Sequence, residues 1–280
     1  LERLLGITLP PLPRYDWDTE PTSDILKQFA EEIATAERAR LHLGDQPIQD
    51  VFALLEGQGI KVFRLEAPED EIDGAMVYDT VLGASLFVNA KHPLGKQNFI
   101  AAHQYAHLLK DRDERATLCR LGDLLGGERE RKEVSRKEHF ANLFAAAFLM
   151  PKSTIQNIVE GLFEGHLSEG ALVYLRRQFG VSYEALFLRL KELGYWTAEE
   201  VAMWKEQRGR LMSLEKAIYG SADEPLPPDP KGVPILLLLR GWEAYRKGLI
   251  SRNRVAELLK MTTMEVDDLV AEGEKIVSVR

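Results

Sequence analysis

Residues 99–109, Phe99-Ile100-Ala101-Ala102-His103-Gln104-Tyr105-Ala106-His107-Leu108-Leu109, carry no formal charge beyond what two histidines could take. The stretch reads as one buried helix. Histidines four residues apart leave the same helix face, close enough to grip one metal ion. At such a site the familiar pattern is His-Glu-x-x-His, in which the Glu is the general base of a zinc hydrolase. Here Gln104 stands at that position.

An amide cannot accept and return a proton near neutral pH, so the shape is kept and the basicity lost. General-base catalysis supplies about 100- to 10,000-fold in rate, roughly 3 to 5 kcal/mol of barrier. The chain as written is therefore expected to hold metal and hydrolyse poorly. We read Gln104 as an inactivating replacement of a general-base Glu; a natural pseudoenzyme is the alternative. The bland reading is a pair of hydrogen-bonded core histidines, but two imidazoles on a nearly uncharged buried helix are costly unless something pairs them.

A third ligand is sought outward along the chain. Residues 136–150, Arg136 to Met150, form a second strongly apolar helix closed by Pro151, with Glu138 in its first turns. Two His and one Glu are the ligand set of zinc peptidases that keep a fourth position open. Glu138 is the expected third ligand, although a Glu near a helix N-terminus can also be simple charge complementarity. Asn142 lies one turn on and could support a ligand imidazole. His139 points elsewhere on the helix. Between the two helices lies Cys119, the sole cysteine, in a loop-rich stretch with Gly122, Gly126 and Gly127. Its thiolate could be a fourth zinc ligand and hold the site shut; an idle buried cysteine is the alternative.

Upstream, residues 8–22 are rich in Pro, Asp and Thr and read as an extended lead-in. Ser23-Asp24 is expected to cap a helix to about Leu43, with Ile25, Phe29, Ile33 and Ala36 on its buried stripe. A short helix near 48–57 follows, then β-like runs at 60–65, 74–78 and 84–89. They predict a small antiparallel sheet packed on the His-x-x-x-His helix, whose exposed edge could pair with an extended polypeptide; equally, the sheet could only cover the helix.

The composition bounds the rest. The 280 residues are 45% hydrophobic with a net charge of −8, and no apolar run approaches a bilayer span. No signal peptide is legible, and residues could be missing before Leu1. One cysteine excludes an internal disulfide framework and fits a reducing cytoplasm. The acidic balance argues against a chain that coats nucleic acid, leaving a local basic patch open.

The combination of Asn89, the run Gln97 to His107, and Glu138-His139-Phe140-Ala141-Asn142-Leu143-Phe144-Ala145 through Pro151 resembles the ImmA/IrrE family of bacterial zinc metallopeptidases over roughly residues 50–155. The resemblance implies zinc on His103, His107 and Glu138, with Gln104 in the place of the catalytic Glu. It also implies selective cytoplasmic cleavage of a helix-turn-helix transcriptional repressor, which induces genes of stress response, mobile elements or phage defence.

Beyond Pro151 the chain reads as helices at 168–179, 182–193 and 197–216. Arg176, Arg177, Arg189 and Lys191 offer a basic face, and His166 or Tyr174 could stabilise an oxyanion. Residues 221–234 are a proline-rich linker, and 235–280 have helix-turn-helix rhythm. Glu265, Asp267 and Asp268 would face phosphates repulsively, so that module is read as one for packing or dimerisation.

The expected architecture is α+β and mainly helical. It runs as an N-terminal linker and helix (1–45), a zinc metallopeptidase domain (46–165), a helical extension (166–220), a linker (221–234) and a C-terminal helical module (235–280). A metal-holding but inactive sensor or scaffold and a DNA-binding regulator are the competing functions. A nucleic-acid activator and a homodimer stay open as partners, and no membrane is expected.

Overall fold

Chain order builds the layers around the histidine helix. The computed structural model describes residues 1–9, 11–16, 22–68, 72–114, 116–119, 136–222, 232–258 and 260–277. It begins with a single turn, α1 (Glu2–Leu5), then α2 (Ser23–Arg40) and α3 (Val51–Gly57). Strands β1 (Lys61–Leu65), β2 (Gly74–Asp79) and β3 (Gly83–Asn89) lead into α4 (Leu94–Lys110). After β4 (Ala116–Cys119) comes α5 (Arg136–Leu149), then α6 (Lys152–Phe163), α7 (Glu169–Phe179), α8 (Tyr183–Glu192), α9 (Ala198–Glu206) and α10 (Arg208–Tyr219). The last described elements are α11 (Ile235–Arg246), α12 (Arg252–Leu258) and α13 (Thr263–Val277). The architecture is α+β and mainly helical, as expected. The glycines 122, 126 and 127 and most of the proline-rich linker lie outside the described residues.

The sheet corrects the antiparallel expectation. It is mixed and four-stranded, in the order β1-β3-β2-β4, with β1 parallel to β3 and β2 antiparallel to both β3 and β4. Alternating burial identifies a strand but says nothing of its neighbour's direction. The connection from β1 to β2 is long enough to step over one strand position, leaving room for β3 to return between them. Its geometry is held by Asn89, whose amide donates to the carbonyls of Ala67 and Ile72 at 3.0 Å and whose Oδ1 accepts from Ala67 N at 3.2 Å. Asp79 Oδ1 then accepts from Val81 N and Leu82 N at 2.7 and 2.8 Å, closing the β2–β3 turn.

Helix α4 lies under this sheet, and every residue from Phe99 to Leu109 is buried. Gly74 permits the contact: a Cβ there would meet Ile100 Cγ2 at 2.5 Å. On its other side α4 crosses α5, whose Phe140, Phe144 and Phe148 recur at i, i+4 and form a ridge with centroids 6.2 and 5.4 Å apart. Tyr105 of α4 packs against the last two of these rings at 6.1 and 5.8 Å.

Helix α2 closes the core on a stripe that is only partly the one expected. Ile33 is buried and Phe29 packs on the core with its ring 5.9 Å from Phe140, whereas Ile25 and Ala36 are exposed and Leu26, Ala30, Ala34 and Glu37 are buried in addition. Glu37 is a carboxylate that a hydrophobicity pattern assigns to solvent. It is fully buried because Tyr15 and Tyr105 donate to it at 2.8 and 2.5 Å and Arg40 pairs with it at 2.8 Å. The cap also shifts, since Thr22 is the N-cap and Ser23 opens the helix. The lead-in is docked at Tyr15, whose N–H donates to Leu109 O at 3.1 Å.

One buried cluster runs from Leu26 to Leu211, and a small separate one comprises Val255, Ala256 and Val266 in the last helices. The expected helix at 197–216 is two, broken at Gln207, which caps both. Among the described residues no helix is long and apolar enough to cross a membrane.

Candidate metal centre

His103 and Gln104 are 0% exposed and His107 is 1% exposed. Each imidazole has its Nδ1 against an acceptor. His103 Nδ1 donates to Asn142 Oδ1 at 2.9 Å, and His107 Nδ1 donates to Asp111 Oδ2 at 2.8 Å. With the protons held on Nδ1, both Nε2 lone pairs turn inward, 3.1 Å apart. Glu138, from the first turn of α5, places Oε2 at 3.2 Å from His103 Nε2 and Oε1 at 3.2 Å from His107 Nε2.

Cys119 completes the group. Its Sγ is 3.5 Å from His107 Nε2 and 3.4 Å from Glu138 Oε1. It is delivered by β4, which pairs with β2 so that Cys119 stands opposite Gly74. One ligand atom from each of His103, His107, Cys119 and Glu138 lies within 4.8 Å of all the others.

These spacings can be tested against a metal. Zinc bonds of about 2.0–2.1 Å to nitrogen and about 2.3 Å to sulfur, set tetrahedrally, put ligand atoms about 3.3 Å apart for two nitrogens and about 3.5 Å apart where sulfur is involved. The observed 3.1 to 3.5 Å separations are of that size, with Glu138 reaching His103 through Oε2 and His107 and Cys119 through Oε1; taken one atom each, the four donors lie within 4.8 Å and would close in on an ion by small side-chain shifts. Two inward lone pairs, a carboxylate and a thiol are a donor set suited to a soft-to-borderline divalent cation.

Electrostatics couples the four side chains, and a metal would have to displace the protons they share. Burial resists ionisation of Cys119, but hydrogen bonds from His103 and His107 hold its thiol below the usual range. The same balance holds Glu138 well below the usual carboxylate range. Burial opposes charge on the imidazoles too, and is outweighed: the thiol and Glu138 raise His103, while Asp111, with both of them, raises His107 well above its ordinary value.

Gln104 lies beside this cluster with its amide 3.2 Å from the point where a Gly74 Cβ would be. Neither of its polar atoms has a hydrogen-bond partner among the described residues. A buried polar side chain is normally satisfied, so its place owes nothing to local bonding.

A family profile, the IrrE N-terminal-like domain of M78 peptidases, matches residues 55–191. The chain carries an ImmA/IrrE-family domain. No curated protein matches the chain in sequence. The M78 match makes this a metallopeptidase-type domain, and it spans β1 to α8 with all four clustered side chains inside it.

Other candidates fall elsewhere. His139 is exposed beside Glu138 and outside the cluster. His166 is exposed, and Tyr174 packs edge-on against Phe163 at 5.7 Å. The basic face dissolves. Arg176 and Arg177 both pair with the buried Glu215, and Arg189 is buried with its fork on Glu31 at 2.7 and 2.8 Å. In the last module Glu265 caps α13, exchanging bonds with Thr262 at 2.7 and 3.2 Å, and Asp267 pairs with Arg252 at 2.9 Å.

Asp111, which holds the His107 ring, is absent from the sequence reading. Its signal was available: it stands four residues after His107, on the same helix face.

Proposed function

We propose that this M78 domain is the scaffold of a cytoplasmic zinc metalloendopeptidase that cleaves a helix-turn-helix transcriptional repressor and thereby induces stress or defence genes. In this reading Gln104 occupies the general-base position and silences the chain as written. The observation that carries it is the inward turn of both Nε2 atoms toward Glu138, each fixed by an oxygen on the opposite ring nitrogen.

His103, His107 and Glu138 would hold the zinc, with Asn142 and Asp111 setting the ring orientations. A bound zinc ion would polarise the scissile carbonyl and acidify water. Gln104 can donate or accept a hydrogen bond but cannot take the proton that a carboxylate would take there. The repressor as substrate follows the ImmA/IrrE resemblance.

A second reading, a metal-holding sensor, is favoured by two features: the amide at 104 and a donor set of four with Cys119 included, since structural zinc sites are closed and catalytic ones keep a position open. The Gln104→Glu replacement in a Cys119→Ala background, which opens the fourth position, separates the two. Zinc-loaded Gln104→Glu/Cys119→Ala is expected to cut the repressor encoded beside its gene at one position, read by mass spectrometry, and His103→Ala in that background is expected to abolish cutting. A zinc-loaded Gln104→Glu/Cys119→Ala protein that leaves the repressor whole would favour the sensor.

A further inference from the structure

Both edges of the strand ladder beside the centre are covered. On the β1 side, Arg64 N–H donates to Gly232 O at 3.1 Å, and Gly232 sits so close that a Cβ would overlap the Arg64 carbonyl. On the β2 side, the side nearer the donors, β4 supplies the covering strand, and Asp73 N–H extends the contact to Cys119 O at 3.1 Å. An extended polypeptide recognised by strand addition needs an open edge. One laid outside β4 would stand a further strand spacing, about 4.8 Å, from the donors.

From this we infer that β4 is an internal stand-in for substrate: its backbone takes the β2 edge that a polypeptide would use, and Cys119 takes the ligand position that catalysis would need open. The inference rests on the zinc-peptidase reading and names the regulation of that site. Release of β4 would free both at once, because the same four residues hold both.

The strand is built to leave. Leu118 is 73% exposed and Ala116 is also exposed, so Cys119 is the one buried side chain in β4. Its grip is the short ladder to β2 and the thiolate. Opposite Cys119, Gly74 offers no side chain, and behind Gly74 lies the Gln104 amide without a partner. The position Cys119 fills is thus flanked by the residue that stands where a general base would act.

Cobalt(II) loaded into the full-length chain provides the probe, since a thiolate on cobalt gives a near-ultraviolet charge-transfer band and the chain has a single cysteine. The native chain is expected to show that band and Cys119→Ala to lose it while retaining visible d–d bands. Zinc affinity of Cys119→Ala is expected to fall by at least about 10- to 100-fold, the loss that even an outer partner of a ligand causes. Backbone amide exchange in 116–119, slowed by zinc in the native chain, is expected to be insensitive to zinc in Cys119→Ala. Cobalt bound without a thiolate band, or exchange in β4 unaffected by Cys119→Ala, overturns the stand-in and leaves the peptidase reading in place. A chain that binds neither cobalt nor zinc overturns both.

Discussion

Asp111 holds His107 at two points: its backbone N–H donates to the His107 carbonyl at 2.6 Å, and its carboxylate receives the His107 Nδ1 proton at 2.8 Å. One residue thus ends α4 and aims the imidazole. Asp111→Ala is expected to weaken zinc binding by about 10- to 100-fold, with Asp111→Asn between it and the native chain because an amide oxygen still accepts. Competition titration with a zinc chelator measures both; unchanged affinity in Asp111→Ala would show that the ring is aimed by packing alone.

Removing metal is expected to lower thermal stability. Free zinc at a hundred times its dissociation constant stabilises the folded state by about 2.7 kcal/mol, which for a chain of this size is a shift of about 5 °C in Tm. EDTA should lower the melting temperature by that order, zinc should restore it and magnesium should not, because a thiol and two imidazoles disfavour a hard cation. The His103→Ala chain should show no zinc-dependent shift.

Glu192 predicts a pH dependence away from the centre. Burial pushes its carboxyl up to about 7, with the charge of Glu31 adding to it and Arg189 and Lys27 opposing. The side chain is 21% exposed, and Arg189 stands 3.7 Å away with its fork already on Glu31. A carboxyl whose folded pKa lies above its unfolded value favours the folded state most when protonated. Its contribution is therefore present below about pH 4.5 and is lost as pH rises through about 7. Between pH 5 and 7.5 the native chain should lose about 1 to 3 kcal/mol relative to Glu192→Gln, seen as a falling urea midpoint. Parallel midpoint curves for the two chains would refute it.

Two glycines on helices should respond oppositely to alanine. At Gly95, in the first turn of α4, a Cβ would lie 2.5 Å from the Val181 carbonyl carbon and 2.7 Å from Ser182 N, backbone atoms of the α7–α8 turn. Gly95→Ala should cost about 1–3 kcal/mol through this overlap. Gly161 in α6 has nothing within 4 Å of its Cβ direction, and Gly161→Ala should stabilise by about 0.5–1 kcal/mol. Denaturant midpoints decide both.

What could be read from the letters alone was local. The i, i+4 histidines and the apolar helix at 136–149 each announce themselves by spacing, and a second helix bringing Glu138 to the first needs only that both apolar faces be buried together. Direction across the sheet was illegible, because burial in β1 alternates identically whether β3 runs with it or against it. The stripe of α2 was legible at Phe29 and Ile33 but not at Glu37, which enters the core through partners 22 residues before it and 68 after it, Tyr15 and Tyr105. Cys119 was legible as a candidate, but its meeting with His107 depends on a four-residue strand too short to announce itself.

The recurring module and the foldable body do not share a border here. The interval matched by the M78 family starts at residue 55, inside α3, yet Arg189 within it relies on Glu31, Tyr105 on Glu37, and the Phe148 carbonyl on Arg38 at 2.6 Å. Cutting the gene at that border would take the Glu31 carboxylate from the Arg189 fork, the Arg38 donor from the Phe148 carbonyl, and the buried face of α2 from the core. Expression of the excised interval should therefore yield an insoluble or molten product, and the smallest well-behaved fragment must carry α2 with it.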